Sequence, residues 1–164
     1  MSARAYSVLF ICTGNSARSI IAEGLINAMA AGRFMGYSAG SHPKGAVHPL
    51  ALRALASAKV PTDGFRSKSW DEFARPGAPK MDFVFTVCDQ AAGEVCPLWP
   101  GHPITAHWGM PDPAAVEGDD PIKARAFVDT MVTMRRRLEL LLALPVHTLA
   151  AQAIRRQVQD IGSR

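Results

Sequence analysis

Ser7-Val8-Leu9-Phe10-Ile11-Cys12-Thr13-Gly14-Asn15-Ser16-Ala17-Arg18-Ser19 decides the fold. The run from Ser7 to Ile11 is short, apolar and partly β-branched, the pattern of a strand buried on both faces. Small and polar residues after Cys12 then make a turn. From Ala17 to Ala31 apolar side chains recur at Ile20, Ile21, Leu25, Ile26 and Met29, one face of a helix that Gly32 can stop. Strand, tight loop and helix together open a βαβ unit.

Working outward, Phe34 to Ala39 is a second strand, Gly40 to His48 a Gly/Pro loop, and Pro49 to Lys59 a helix offering Leu50, Leu52 and Leu55 for burial. Ser69 can cap a helical turn through Phe73, and Ala74 to Lys80 is loop. Met81 to Val87 is the clearest later strand, with Cys88 directly behind it, and Ile104 to Trp108 is a weaker one leading into Gly109-Met110-Pro111-Asp112-Pro113. A long helix is predicted from about Pro121 to Ala143, with Phe127, Val128, Met131, Met134, Leu138, Leu141 and Leu142 inward. The tail from Thr148 to Ile161 has weaker helical spacing. The fold class is therefore α/β: a parallel four-stranded sheet flanked by helices on both faces, with right-handed crossovers that put every strand's C-terminal end on one edge. Cys12, Cys88 and Asp112, far apart in the chain, emerge together on that rim.

Composition narrows the function. The 164 residues and 48% apolar content suit one domain with one core. Net charge is 18 Lys+Arg minus 14 Asp+Glu, or +4, enough to favour anions and too little to imply nucleic acid. No apolar run reaches the roughly 18 residues of a membrane span, and Met1 to Ser7 lacks a signal peptide's apolar middle, so a cytoplasmic location is expected. Three cysteines do not make a disulfide scaffold. His42, His48, His102, His107 and His147 show no ligand spacing and there is no Cys-x-x-Cys, so no metal site is expected. His42 and Lys44 lie in a loop that can overlook the anion site but read first as solvated loop residues, Arg135-Arg136-Arg137 as a solvent-facing helix surface with partner docking as the lesser reading, and Trp70, Trp99 and Trp108 as packing residues near loops.

Chemistry concentrates between Cys12 and Ser19. A strand-to-helix loop of Thr13, Gly14, Asn15, Ser16 and Ala17 can curl its backbone N–H groups around a tetrahedral oxyanion, helped by the helix dipole, while Arg18 clamps two oxygens in its planar fork. That field should favour the thiolate of Cys12. Ser19 is placed to donate to the sulfur and Asn15 to hold the loop's shape.

Cys12 through Ser19 resembles the phosphate-binding loop of low-molecular-weight protein tyrosine phosphatases and of the arsenate reductases built on that fold. Ser38-Ala39-Gly40, Asp112-Pro113 and the closing long helix extend the resemblance over most of the chain. It implies a phosphatase-like domain over residues 1–145, with 146–164 as an accessory helix or tail of the same domain, and Asp112 as the general acid. Cys88 and Cys96, separated by a small-residue polar segment, resemble the resolving cysteines of thioredoxin-coupled arsenate reductases, and His107 through Ala114 resembles that branch too. Phosphatases of the fold usually place aromatic residues after Asp-Pro, where Ala114 and Ala115 stand here. Ala17 replaces a cysteine that much of the family carries, and the Cys88 to Cys96 separation is slightly longer than in the thioredoxin-coupled members. The resemblance implies reduction of arsenate, with phosphate or sulfate as a mimic, by Cys12, Arg18, Asp112, Cys88 and Cys96. No tightly bound cofactor is expected; the reductant is an external thiol system, thioredoxin or glutathione/glutaredoxin. The alternatives are a phosphomonoesterase that uses Cys12, Arg18 and Asp112 without a redox step, and a non-catalytic oxyanion or thiol-redox sensor.

Overall fold

The computed structural model describes residues 5–30, 32–88, 99 and 101–164. Its β-strands are β1 (Tyr6–Cys12), β2 (Phe34–Gly40), β3 (Phe83–Thr86) and β4 (Ile104–His107), all parallel, in the order β2-β1-β3-β4. β1 lies between two neighbours, and Val8 to Cys12 are all buried, which is why the run carries no polar alternation. The helices among the described residues are α1 (Arg18–Met29), α2 (Pro49–Ser57), α3 (Asp120–Leu142) and α4 (Ala151–Gly162), with 3₁₀ turns at Trp70–Phe73 and Pro113–Ala115. None is long and apolar enough to cross a membrane.

Parallel register aligns the four strand ends. Cys12 pairs with Gly40, Ile11 with Thr86, and Thr86 with His107. From β1 the chain goes first to one side, to β2, and then to the other, to β3, so the sheet's switch point lies between β1 and β3. A crevice opens there beyond the strand ends, the place where ligands bind in open α/β sheets. Cys12 ends one bordering strand; Cys88 lies two residues past the other, with Val87 N–H bonded to Ile11 O at 2.8 Å.

Two sequence expectations change, and one is met more fully than expected. Trp108, directly after β4, is a packing residue as expected, fully buried and stacked on Phe85 at 4.3 Å between ring centres, and its Nε1 donates to Val158 O at 2.8 Å. That bond docks α4, whose close approach needs Gly162, since a Cβ there would lie 2.3 Å from His107 O. Arg137 does not face solvent with Arg135 and Arg136; it is 6% exposed, because its phase on α3 follows Met134 and precedes Leu141, both wholly buried. On α2 the buried residues are Ala51, Ala54 and Leu55, while Leu50 and Leu52 are half-buried, so α2 approaches its neighbours through small side chains.

Candidate active site

The loop after β1 is shaped from outside. Its carbonyls are taken by the segment that follows β2: His42 N–H donates to Thr13 O, Lys44 N–H to Gly14 O and His48 N–H to Ser16 O, each at 2.9 Å. Ser67 Oγ donates a second bond to Gly14 O at 3.1 Å. In a trans peptide C=O and N–H point opposite ways, so anchoring these carbonyls outward turns the N–H groups of Gly14, Asn15 and Ala17 to the other side. Ala17, the N-cap of α1, brings no side-chain cap, which leaves the helix's first amides to a ligand.

Asn15 locks the turn. Its φ is 45°, in the left-handed region that Asn tolerates better than most residues, and it is fully buried. Its Oδ1 accepts Lys68 N–H at 2.9 Å, and its Nδ2 donates to Ser19 Oγ at 2.9 Å. Asn15 and Ser19 therefore stand behind the loop. Thr13, Gly14, Ser16, Ala17 and Arg18 line, with Cys12, an open cavity of about 180 Å³. The loop also presses on β2: a Cβ on Gly40 would lie 2.5 Å from Thr13 O and 2.9 Å from Asn15 N.

Arg18 closes one side. Its Nη1 donates to Met110 O at 3.0 Å, its Nη2 stands 3.8 Å from Asp112 Oδ2, and its buried Nε has no acceptor among the described residues. An arginine with an unspent N–H beside a ring of inward amides is a receptor for an oxyanion. Asp112 lines the same cavity, and its carboxylate accepts Ala114 N–H at 2.9 Å, capping the turn after it. Ala114 lines the wall as well, and among the described residues no aromatic side chain borders the cavity except the imidazole of His42.

Two thiols meet here: Cys12 lines the cavity, and Cys88 lies behind it against Thr13. Cys12 and Cys88 are both buried and unbridged, and the Cys12 thiol is hydrogen-bonded to Cys88. Cys88 Sγ also accepts Thr13 N–H at 3.3 Å and lies 3.5 Å from Thr13 Oγ1. The expected thiolate preference of Cys12 is reversed in this arrangement. Its hydrogen bond to Cys88 and its burial hold the proton on, outweighing Arg18 and the Gly14 N–H, which pull the other way. Cys96 lies outside the described residues.

Of the site's surroundings, sequence reasoning found the loop of His42 and Lys44 but missed the roles of His48, Glu23 and Lys68. Lys44 and His42 are exposed yet line the cavity, and the Lys44 stem lies 3.2 Å from where a Gly14 Cβ would be. His48 caps α2, its Nδ1 accepting Leu50 N–H at 3.1 Å. Burial holds its pKa below the usual imidazole range, Lys44 pushing the same way and Asp112 opposing. Beneath the loop, Ser38 Oγ donates to Glu23 Oε1 at 2.6 Å, and Lys68 Nζ lies 3.8 Å from the same oxygen. Burial raises the Glu23 carboxyl and lowers the Lys68 ammonium. The one signal for this cluster was Glu23 on the helical face otherwise carrying Ile20 and Ile26; nothing local marked Lys68.

The chain matches the family of low molecular weight phosphotyrosine protein phosphatases over residues 7–159. An arsenate reductase of Halalkalibacterium halodurans is 37% identical over 120 residues, covering 73% of this chain and 83% of that protein. Among solved structures, a thioredoxin-dependent arsenate reductase of Corynebacterium glutamicum superposes with a TM-score of 0.59 at 28% identity, covering 85% of this chain and 63% of that one. An arsenate reductase in its phosphate-binding state superposes with a TM-score of 0.65 at 26% identity, covering 84% and 97%. With the loop, the arginine and the sheet topology already in place, the match over nearly the whole chain makes this protein a member of the low-molecular-weight phosphotyrosine protein phosphatase family.

Proposed function

We infer that the protein reduces arsenate to arsenite, using Cys12 as nucleophile and Cys88 as the thiol that resolves the adduct. The observation that carries this is the contact between Cys12, which lines an oxyanion-sized cavity, and the buried thiol of Cys88 behind it. A phosphatase needs only the first of them. The relatives' common description as arsenate reductases supports the same reading.

The chemistry balances as follows. Arsenate enters the ring of amides and is held by Arg18. Cys12 gives up its proton and attacks arsenic, forming an S–As bond, while one oxygen leaves as water with a proton from Asp112. An incoming arsenate dianion is itself a base beside a thiol held protonated, so it can accept the Cys12 proton and turn an oxygen into a better leaving group. Cys88 then gives its proton to a departing arsenite oxygen and attacks Cys12 Sγ. The S–S bond forms, the S–As bond breaks, and its electron pair stays on arsenic as arsenite. Two thiols are oxidised as arsenic(V) becomes arsenic(III). Attack by Cys96 on Cys88 Sγ would free Cys12 and move the disulfide outward, where thioredoxin or a glutathione/glutaredoxin system reduces it by exchange. Such a cycle belongs in a reducing, cytoplasmic setting.

The phosphomonoesterase alternative shares the first step, but a ring-bearing ester would meet Ala114 where a stacking partner is wanted. Cys88→Ser separates the two. It should abolish arsenite production while sparing hydrolysis of a small aryl phosphate; reduction that survives the substitution removes Cys88 from the mechanism. Supplying the thioredoxin and glutaredoxin systems separately identifies the donor.

A further inference from the structure

Behind the segment that carries Asp112 lies a second cavity, of about 320 Å³, between residues 109–113 and α3. This is the lower end of ligand-pocket sizes. Met110, Pro111, Val116 and Ala126 give it apolar walls, interrupted by Thr130, Thr133, Arg137 and two carboxylates that each face another arginine, Asp112 at 3.8 Å from Arg18 and Asp129 at 3.2 Å from Arg125. A guanidinium cannot shed its charge inside a protein. Arg137 is 6% exposed, its Nη1 donates to Trp108 O at 2.8 Å and Gly109 O at 3.2 Å, and its Nε has no acceptor among the described residues. No carboxylate among them forms an ion pair with it. Asp129, on the same rim, is exposed and engaged by Arg125 at 3.2 Å. A buried charge ordinarily has a counter-ion, and carbonyl oxygens satisfy its N–H groups without neutralising it.

We propose that this cavity binds a small monocarboxylate with an apolar body, its carboxylate paired with Arg137. The apolar walls select that class over an inorganic oxyanion, whose remaining charged oxygens would be stranded against Val116 and Ala126. A single carboxylate matches the single positive charge and takes a guanidinium edge with good geometry. The site shares a wall with the Cys12 cavity: Asp112 lines both, and Met110 O, one residue beyond the carbonyl that Arg137 holds, accepts from Arg18.

The test is a hexanoate titration of the full chain, followed by backbone amide shifts, with sulfate saturating the Cys12 loop. Hexan-1-ol serves as the uncharged control. The expected result is saturable shifts at Gly109, Thr130 and Thr133, and hexanol binding weaker by about tenfold or more. Thr133→Phe, which fills the cavity and keeps Arg137, and Arg137→Met, which removes the charge, should each weaken hexanoate by a similar factor. Equal affinity for hexanol, shifts confined to the Cys12 loop, absence of saturable binding, or unchanged binding in folded Thr133→Phe would each overturn the proposal. Thr133→Phe decides alone if Arg137→Met does not fold. Because sulfate is present throughout and no turnover is read, failure here leaves the arsenate assignment untouched.

Discussion

Asn15 offers the sharpest link between local conformation and anion binding. Replacing it with Ala removes the acceptor of Lys68 N–H and the donor to Ser19 Oγ, two 2.9 Å bonds of which the first is part-buried and the second buried. A buried amide left without its acceptor costs about 1–3 kcal/mol, and a lost neutral hydrogen bond about 1 kcal/mol more. Ala at a φ of 45° adds about 1 kcal/mol of backbone cost. The expected destabilisation of Asn15→Ala is therefore about 3–5 kcal/mol, read from urea unfolding without added anion. Asn15→Gly loses the same bonds but not the backbone preference, so it should be less damaging than Ala by about 1 kcal/mol. Asn15→Asp keeps an acceptor for Lys68 N–H and places a negative charge behind the anion loop, so it should lose more sulfate affinity than stability. Calorimetric sulfate titration completes the set: saturating wild type at about 100 times Kd adds about 2.7 kcal/mol of stability, and the variants should gain less at the same concentration. If Asn15→Ala stays within about 1 kcal/mol of wild type, or exceeds Asn15→Gly in stability, the loop is not held as described.

Cys88→Ala removes the largest influence holding the Cys12 proton, so alkylation of Cys12 by iodoacetamide should begin at lower pH than in wild type; an unchanged profile means the two thiols do not interact. In Gly40→Ala the new methyl group meets two backbone atoms that cannot yield, so both folding stability and sulfate affinity should fall, and calorimetry on a stable, fully binding variant would contradict the close approach. Lys68→Met leaves Glu23 buried without its cation. The Glu23 carboxyl already titrates above its unfolded value and should rise further, so the stability lost at neutral pH returns as pH falls and the carboxyl is protonated. Urea midpoints across acidic to neutral pH check the sign, and a gap that widens on acidification would refute it.

Local pattern was enough where one segment dictates its own environment. The run before Cys12 is apolar throughout because two strands and two faces cover it, and the small residues after it are those a loop needs to approach an anion. Asp112 was legible as a rim residue because it follows β4 in a parallel sheet, whereas Asp before Pro by itself signals only the turn it caps, and the general-acid role came from the family resemblance. Arg137 could have been found: counting 3.6 residues per turn from Met134 sets it inward, whereas reading three arginines as one charged block conceals the phase. Lys68 and Ser67 could not. Their roles come from backbone and side-chain contacts over long sequence separations, such as the 53 residues between Lys68 N–H and Asn15 Oδ1, and no local spacing carries that information. The expected Cys12 thiolate failed for the same reason. Arg18 and the loop amides are local and favour it, but the opposing hydrogen bond comes from Cys88, beyond β3.

The account turns on electrons leaving arsenic's two partners inside the protein, between Cys12 and Cys88. The most direct measurement is a single turnover of reduced Cys96→Ser with arsenate and no external reductant, reading arsenite released and intact protein mass together. One arsenite per chain, matched by loss of two hydrogens and a Cys12–Cys88 disulfide in the peptide map, is the predicted result. Arsenite formed while both thiols stay reduced, or a disulfide formed without arsenite, would contradict it.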